Sequence, residues 1–320
     1  MKSAIKKSLL MAFALIFALC VFVGISAHGV MATGTVNTDT FIMYDGASAR
    51  PADGVNEAGM RFAAEISAEQ YGNLKTAYGD NLEFGIILST EDWIDNKGGV
   101  ENFKIENSAW TEYTDGATAD YYLRGRINPA ADKEDLDEDG DTTEMLIMFA
   151  ITDIYEYNFS RTFVAKAYYT TDGGLTYEYT DAAERSLFTV ASKAIAGGRF
   201  DGNSDAETYF NGVINTVLTT YNQVEVEVTG VDAQTEVGDK IGVTAYVSNG
   251  TKRLEAAANV TCDVDGMLTA NSDGSYTINK IGDFNLTAEV ASEIKTVKID
   301  NAETYYLDMA NDLSLAPADS

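Results

Sequence analysis

The stretch Ser160-Arg-Thr-Phe-Val-Ala-Lys-Ala-Tyr-Tyr-Thr-Thr-Asp-Gly-Gly-Leu-Thr-Tyr-Glu-Tyr179 decides the fold class of this 320-residue chain. Its first half alternates in the manner of a half-buried strand, with one face formed by Phe163, Ala165, Ala167 and Tyr169. Asp172-Gly173-Gly174 follows, and glycines accept the positive φ that a tight hairpin turn needs. A second strand over Leu175–Tyr179 then completes a predicted antiparallel hairpin.

Residues 33–200 around this hairpin mix further strands with short helices. Strands are predicted at Met60–Ile66, Leu82–Ser89 and Glu144–Ile151, and helices at Ala68–Tyr78 and Ser186–Ala196. Strands dominate, so we expect a mixed α+β, β-sandwich-like module. An amphipathic helix within 201–222, opened by a capping box at Ser204-Asp205-Ala206-Glu207, closes or links this module.

The sequence pattern changes from residue 223 onward, where short segments of alternating apolar and polar residues are separated by turn residues. The predicted strands are Val224–Thr229, Lys240–Val247, Asn259–Val264, Ser275–Ile281, Phe284–Val290 and Ile294–Ile299. No helical pattern interrupts them. Six or seven strands in so short a span are typical of a small β-sandwich of immunoglobulin type, which we place at 223–300.

Particular motifs of this second region carry a family resemblance. They are Val-Glu-Val-Glu-Val-Thr-Gly at 224–230, Val-Gly-Asp-Lys-Ile-Gly-Val-Thr-Ala at 237–245, Gly-Ser-Tyr-Thr-Ile at 274–278 and Ile-Gly-Asp-Phe-Asn-Leu-Thr-Ala at 281–288. With them the region resembles the bacterial immunoglobulin-like domains, group 2 type, of surface proteins and adhesins. The resemblance covers about a quarter of the chain. It implies a surface or scaffold role and no catalytic residues.

The first region is similar to an uncharacterised module of Gram-positive secreted and surface proteins. The motifs that carry this similarity are Gly46–Arg50, Gly59–Phe62, Phe84–Ile87, Ala165–Tyr169 and Arg185-Ser186. It too implies a place at the cell surface and supplies no catalytic residues.

Residues 1–32 have the pattern of a secretory signal peptide. A head with three lysines precedes an apolar run from Leu9 to Ile25, and small residues offer cleavage after Ala27 or Ala32. The alternative is a retained membrane anchor, since about 17 apolar residues approach the roughly 20 that span a bilayer. Cleavage predicts a secreted or cell-surface protein with no membrane span in the mature chain. We expect residues 301–320 to form a short tail or to begin a truncated element.

Charge and rare residues exclude several functions. The formal net charge is −28, and a polyanion repels nucleic acid, so no nucleic-acid partner is expected. Cys20 leaves with the signal, so Cys262 has no partner for an internal disulfide. The single histidine, His28, lies in the signal or at the start of the mature chain. Catalysis of the Ser-His-Asp or Cys-His type and zinc sites with histidine are therefore not expected.

The acidic segment 132–144 is the sharpest local signal of a binding site. Its alternating aspartates precede Gly140, as in the front half of a calcium loop, but Leu146 stands at the twelfth position where such a loop has glutamate. Two interpretations stay open. The segment is a solvated acidic insertion, or it binds Ca²⁺ through Asp135, Asp137, Asp139, Asp141 and Glu144.

Paired aromatic residues form a second signal. They are Tyr121/Tyr122, Tyr155/Tyr157, Tyr168/Tyr169 and Tyr177/Tyr179, and Trp93 and Trp110 lie in polar surroundings. Flat rings suit sugars, but aromatic side chains also pack across strands, and packing is the commoner role. Arg50, Arg61 and Arg124 are candidates for interior ion pairs with carboxylates.

These observations predict a non-enzymatic exported protein. Its expected partner is an extracellular polymer, glycan or protein, or a component of the cell envelope, held through adhesion, spacing or polymer binding. One alternative is the glycan-binding part of a longer polysaccharide-degrading enzyme. Another is a glycosidase that uses two carboxylates alone, which needs no histidine.

Overall fold

The computed structural model describes residues 41–113, 121–132, 144–231, 237–280, 282–291 and 293–299. Strands dominate these residues, which confirms the expected mostly-β class. The described chain forms two compact units, one from residues 41–194 and 202–213 and the other from 195–201 and 214–299. The predicted signal peptide, His28 and the tail at 301–320 lie outside the described residues. No helix of the described ranges is long and apolar enough to cross a membrane.

Ten strands of the first unit form two five-stranded sheets. In chain order they are β1 (Phe41–Met43), β2 (Ser48–Arg50), β3 (Gly59–Ser67), β4 (Glu83–Thr90), β5 (Thr111–Glu112), β6 (Tyr121–Ile127), β7 (Ala130–Ala131), β8 (Glu144–Thr152), β9 (Thr162–Thr170) and β10 (Glu178–Ser186). The first sheet has the order β1-β3-β8-β7, with β2 also paired to β3. The second has the order β10-β9-β4-β6-β5. All pairs are antiparallel except β5 with β6.

The two sheets pack face to face around an apolar core. Phe62 on β3 and Phe84 on β4 are both buried, and Gly125 on β6 lies against the ring of Phe149 on β8. The outer face of β4 is covered as well, since Ile87 packs with Phe103 and other residues from the segment that follows β4. β4 is therefore buried on both faces, which explains its nearly continuous apolar sequence.

Four α-helices accompany the sheets: α1 (Ala68–Tyr78), α2 (Glu91–Asn96), α3 (Leu187–Ala196) and α4 (Ser204–Leu218). The predicted bounds of α1 are confirmed. For α4 the predicted cap is wrong by one residue, because the Asn203 side chain accepts the Ala206 amide at 3.2 Å. Asparagine is as good an N-cap as serine, so the capping chemistry simply begins one position earlier.

The second unit contains eight strands in two antiparallel sheets. They are β11 (Gln223–Thr229), β12 (Lys240–Ser248), β13 (Arg253–Ala256), β14 (Asn259–Cys262), β15 (Leu268–Ala270), β16 (Tyr276–Ile278), β17 (Phe284–Val290) and β18 (Glu293–Ile299). One sheet has the order β11-β12-β16-β15 with β13 also on β12, and the other has the order β14-β17-β18. Ile241 and Ile278 of the first sheet share a buried cluster with Phe284 and Leu286 of the second, so the sheets form a sandwich.

The predicted hairpin of the first unit is confirmed, with one difference in its turn. β9 and β10 pair as expected, but β10 begins at Glu178 rather than at Leu175. The Asp172 carboxylate accepts the amides of Leu175 and Thr176 at 2.9 and 3.0 Å and holds them in the turn. Strands β13 and β15 had not been predicted, because each is too short to show clear alternation.

Candidate functional site

An aromatic and charged network, here called the Arg124 cluster, lies on the outer face of the second sheet. It consists of Arg124, Glu83, Tyr168, Tyr177, Arg126 and Glu112. Strand register brings them together, since Gly85 on β4 is opposite both Arg126 on β6 and Tyr168 on β9. Side chains that alternate along these strands therefore point to one face. A Cβ at Gly85 would lie 2.5 Å from the Tyr168 hydroxyl, so the cluster requires glycine there.

Arg124 is the centre of the cluster, and its side chain is only 8% exposed. Its Nε donates to the Tyr168 hydroxyl at 2.7 Å, and one Nη donates to Glu83 Oε1 at 2.5 Å. The Tyr168 hydroxyl in turn donates to the same Glu83 oxygen at 2.9 Å. The guanidinium also lies over the Tyr168 ring, 4.9 Å from its centroid. This is the interior ion pair that the sequence predicted for Arg124.

The electrostatics of the cluster match its geometry. Burial lowers the pKa of Arg124, but hydrogen bonds to Tyr168, Tyr177 and Glu83 outweigh burial and hold that pKa above its ordinary value. Burial raises the pKa of the Tyr168 hydroxyl. The hydrogen bond from Arg126 lowers the pKa of Glu112. Each of these groups is paired within the cluster, which makes it a stabilising network.

The second aromatic region is a pocket of about 200 Å³ at one end of the same unit, here called the Tyr155 pocket. It lies where strands of both sheets end and the loop between β8 and β9 begins. Its lining residues are Leu88, Ser89, Thr90, Trp93, Tyr121, Leu123, Ile151, Thr152, Asp153, Ile154, Tyr155, Asn158, Arg161 and Phe163. The wall is partly aromatic, since the Trp93 and Tyr121 rings meet edge to face with centroids 5.0 Å apart.

The loop from Asp153 to Arg161 presents two tyrosines to solvent. Tyr155 and Tyr157 are 62% and 71% exposed. Their rings are nearly parallel, at 10°, with centroids 5.6 Å apart. The loop is anchored beneath them, because Phe159 is buried and its carbonyl accepts the Phe188 amide at 3.0 Å. Exposed rings on an anchored loop are organised before a partner arrives, which reduces the entropy lost on binding.

Two lining residues each carry a buried side-chain oxygen without a hydrogen-bond partner among the described residues: Thr90 Oγ1 and Asn158 Oδ1. Thr90 occupies the N-cap position of α2, yet its hydroxyl makes no capping bond. Both atoms are closed off from solvent, so they lie within the wall and are not presented to the pocket. The Tyr155 pocket is therefore characterised by its aromatic wall and by the exposed rings beside it.

No protein-family model and no curated protein matches this chain.

The predicted calcium ligands fall mostly outside the described residues. Asp135, Asp137, Asp139 and Asp141 lie in the interval 133–143, of which the structure describes nothing. Glu144 is described, and it begins β8 opposite Ser67 on β3. Elsewhere in the described ranges, no three acidic, cysteine or histidine side chains are grouped so that they could hold a metal ion. Calcium binding stays a prediction.

The aromatic residues that the sequence groups into one signal belong to two different places in the structure. Tyr168 and Tyr177 belong to the Arg124 cluster, whereas Tyr155 and Trp93 line the pocket. The unpaired oxygens of Thr90 and Asn158 had not been anticipated. Sequence patterns mark neither residue, because what distinguishes them is the lack of a partner in the folded chain.

Arg50 and Arg61 differ from Arg124. Arg50 pairs with Asp53 at 2.7 Å in an exposed turn, and Arg61 Nε donates to the Ser48 hydroxyl at 3.4 Å. Arg50 therefore forms the predicted ion pair, but its partner Asp53 is exposed, so the pair is not an interior one.

Proposed function

We propose that this protein is an exported, non-catalytic binding protein whose first unit holds an extracellular glycan at the Tyr155 pocket. The observation that carries this proposal is the pair of parallel, exposed tyrosine rings on an anchored loop beside a partly aromatic pocket. Aromatic faces pack against the C–H faces of sugar rings. The exposed rings and the pocket belong to one short loop and the strand ends next to it.

The second unit serves as a spacer or adhesive domain in this proposal. Its sequence resembles bacterial immunoglobulin-like domains, and its two-sheet sandwich supports that comparison. The strongly acidic composition keeps such a protein soluble and disfavours polyanionic partners. The predicted signal peptide supplies the route to the outside.

Binding of the purified mature chain to a panel of immobilised polysaccharides tests the proposal. We expect the double variant Tyr155→Ala/Tyr157→Ala to bind the retained polysaccharide at least about tenfold more weakly, which corresponds to about 1.4 kcal/mol. Tyr78→Ala is the matched control, since Tyr78 is also exposed but belongs to α1. Binding that is equal in all three proteins would reject the Tyr155 pocket as the site.

The same samples distinguish a binding protein from a glycosidase. Under this proposal the polysaccharide stays intact, so chromatography of the supernatant reveals no new reducing sugar. Release of soluble sugar by the wild-type chain would overturn the non-catalytic function and favour the carboxylate-only glycosidase.

A further inference from the structure

The proposed glycan site can be taken one step further, to the charge of the sugar that it holds. We propose that the Tyr155 pocket and the exposed tyrosines beside it bind a glycan with free amino groups, a polymer of de-N-acetylated glucosamine. One protonated glucosamine residue occupies the pocket, and the chain continues over Tyr157. This inference rests on the proposed function of the same site.

The loop that carries the two tyrosines is acidic. Asp153 lines the pocket, and Glu156 stands between Tyr155 and Tyr157 in the sequence. Both acidic side chains are exposed, and neither forms an ion pair within the part of the chain that the structure describes. Two carboxylates without a cationic partner therefore lie beside the exposed aromatic rings.

The cations near the pocket are already engaged within the protein. Arg161 is the cation among the lining residues, and its Nε lies 3.8 Å from Asp92 Oδ2. Lys97, which follows α2, donates to the Ala109 carbonyl and lies over the Trp110 ring. An anionic sugar would therefore meet the carboxylates of the loop without an available counter-charge from Arg161 or Lys97.

Helix α2 adds further negative charge on this side of the first unit. It carries Trp93, which lines the pocket, and Glu91, Asp92 and Asp95 within the same six residues. Burial, and then the charges of Glu91 and Asp95, raise the pKa of Glu184 on β10. Carboxylates are thus crowded around α2, and a cationic ligand relieves their mutual repulsion whereas an anionic ligand increases it.

Aromatic faces next to carboxylates favour an ammonium group. The rings of Tyr155 and Tyr157 are largely exposed, and the electron-rich face of an aromatic ring attracts a cation. A glucosamine residue can pack its C–H face on such a ring and place its ammonium group beside a carboxylate. Acetylation of the nitrogen removes that charge, so a free amino group is the feature that this site distinguishes.

The pocket itself sets the size of the unit that enters it, and Trp93 provides a signal of occupancy. A volume of about 200 Å³ is below the roughly 300–1,000 Å³ of sites for drug-sized molecules, which leaves room for one sugar residue. Trp110, the second tryptophan, is buried beside Phe103 with ring centroids 4.9 Å apart. A bound amino sugar should change Trp93 emission, and Trp93→Phe should abolish that change.

Three trisaccharides of matched length test the charge of the ligand. Tri-glucosamine and tri-N-acetylglucosamine share one linkage and differ only at nitrogen, and trigalacturonic acid is the anionic probe. In titration calorimetry of the full mature chain at mildly acidic pH, we expect tri-glucosamine to bind about 5- to 30-fold more tightly than tri-N-acetylglucosamine. Trigalacturonic acid should bind most weakly. Added salt should reduce the advantage of tri-glucosamine, because salt screens exposed charges.

Two substitutions test the carboxylates themselves. Asp153→Asn and Glu156→Gln should each weaken binding of tri-glucosamine about 2- to 5-fold and leave binding of tri-N-acetylglucosamine unchanged. Asparagine accepts the left-handed backbone of residue 153, whose φ is 55°, so the loop keeps its shape. Asp80→Asn is the matched control, because Asp80 is also exposed but lies in the turn after α1. If both loop variants bind tri-glucosamine as tightly as the wild type, the inference is overturned.

Further outcomes separate the inference from the proposed function. If tri-N-acetylglucosamine binds as tightly as tri-glucosamine, and both depend on Tyr155 and Tyr157, the inference fails and the proposed function stands. Trilysine supplies positive charge without a sugar. If trilysine binds as tightly as tri-glucosamine, the site recognises charge alone and both fail. If no trisaccharide binds, both fail as well.

Discussion

Two tripeptides of identical sequence, Tyr155-Glu-Tyr157 and Tyr177-Glu-Tyr179, have opposite environments in this molecule. The first pair stacks in solvent beside the Tyr155 pocket. In the second pair, Tyr177 and Tyr179 pack against Tyr168, and burial raises the pKa of Tyr179. The Tyr179 hydroxyl donates to Glu106 and accepts the Ile105 amide, both at 2.8 Å.

This difference indicates which residues of the first unit contribute to binding and which contribute to stability. Side chains of the Arg124 cluster pair with one another, so removing one of them should lower the free energy of unfolding. Tyr155 and Tyr157 are mostly exposed, so their removal should weaken binding and change the free energy of unfolding little. Both tryptophans belong to the first unit. Urea unfolding followed by tryptophan fluorescence of the full mature chain therefore reports on this unit alone.

The largest expected effect is that of Arg124→Ala. It leaves Glu83 and Tyr168 without their shared donor, and breaking a buried ion pair costs about 3–5 kcal/mol. Glu83 is 34% exposed and regains some water, so we expect a loss of about 2–4 kcal/mol in the free energy of unfolding. Arg126→Ala, in the half-exposed pair two residues further along β6, should lose less than about 1 kcal/mol. Equal losses in the two variants would show that Arg124 contributes no more to stability than Arg126 does.

Gly85→Ala should produce the next largest effect. Its Cβ would lie 2.1 Å from the Gly125 carbonyl oxygen and 2.5 Å from the Tyr168 hydroxyl, so the strands or the cluster must shift. We expect a loss of about 2 kcal/mol in the free energy of unfolding. Gly212→Ala on α4 is the control, because nothing lies within 4 Å of its Cβ, and it should gain up to about 1 kcal/mol. A tolerated alanine at residue 85 would contradict the close packing of the cluster.

The variants Tyr168→Phe and Tyr157→Phe compare a hydroxyl inside the Arg124 cluster with one on an exposed ring. Each removes one hydroxyl. In the first variant Arg124 Nε and Glu83 lose a bond, and we expect about 1–2 kcal/mol of destabilisation. In the second the hydroxyl belongs to an exposed ring, and the change should stay within about 0.5 kcal/mol. A Tyr157→Phe variant that loses as much free energy of unfolding as Tyr168→Phe would contradict this expectation.

The smallest effect we expect is in the pH dependence of stability, through Lys166 on the same sheet face. Lys166 is 6% exposed and lies over the Tyr179 ring, and burial lowers its pKa below 10.5. The unfolded chain then holds this proton to higher pH than the folded chain, so stability rises as pH approaches 10.5. Lys166→Met should be more stable than the wild type near pH 7.

That advantage of Lys166→Met should shrink as pH approaches 10.5, in unfolding curves measured from pH 7 upward. The tyrosines that lie away from Lys166 titrate alike in both proteins and cancel in the difference. An advantage that is constant across this range would mean that the charge of Lys166 carries no penalty.

Much of the fold could be predicted because its signals are local. The strand at Gly59–Ser67 and the helix at Ala68–Tyr78 follow from alternation and helical spacing within a few residues. Strands such as Tyr121–Ile127, with two arginines and a glycine, lack that pattern and were missed. Their polar side chains are accommodated by partners far away in sequence, which no local pattern reveals.

Less of the candidate site could be predicted. The sequence marks Tyr155, Tyr157 and Trp93 as aromatic residues suited to a sugar, but it marks Tyr168 and Tyr177 in the same way. The decisive property of Tyr155 and Tyr157 is the exposure of their rings in the folded chain. Whether a ring is exposed depends on strands that are distant in sequence.

The sequence by itself determined the mostly-β class, the hairpin around Asp172-Gly173-Gly174 and the acidic character of the chain. Backbone alternation, glycine conformations and formal charge depend on residues and their near neighbours alone. Only the tertiary structure decided which Tyr-Glu-Tyr tripeptide has tyrosine rings packed against their neighbours and which has exposed rings. Burial is set by the register of β4, β6 and β9, which brings Arg124 to Tyr168 and leaves Tyr155 at the open end of the sheets.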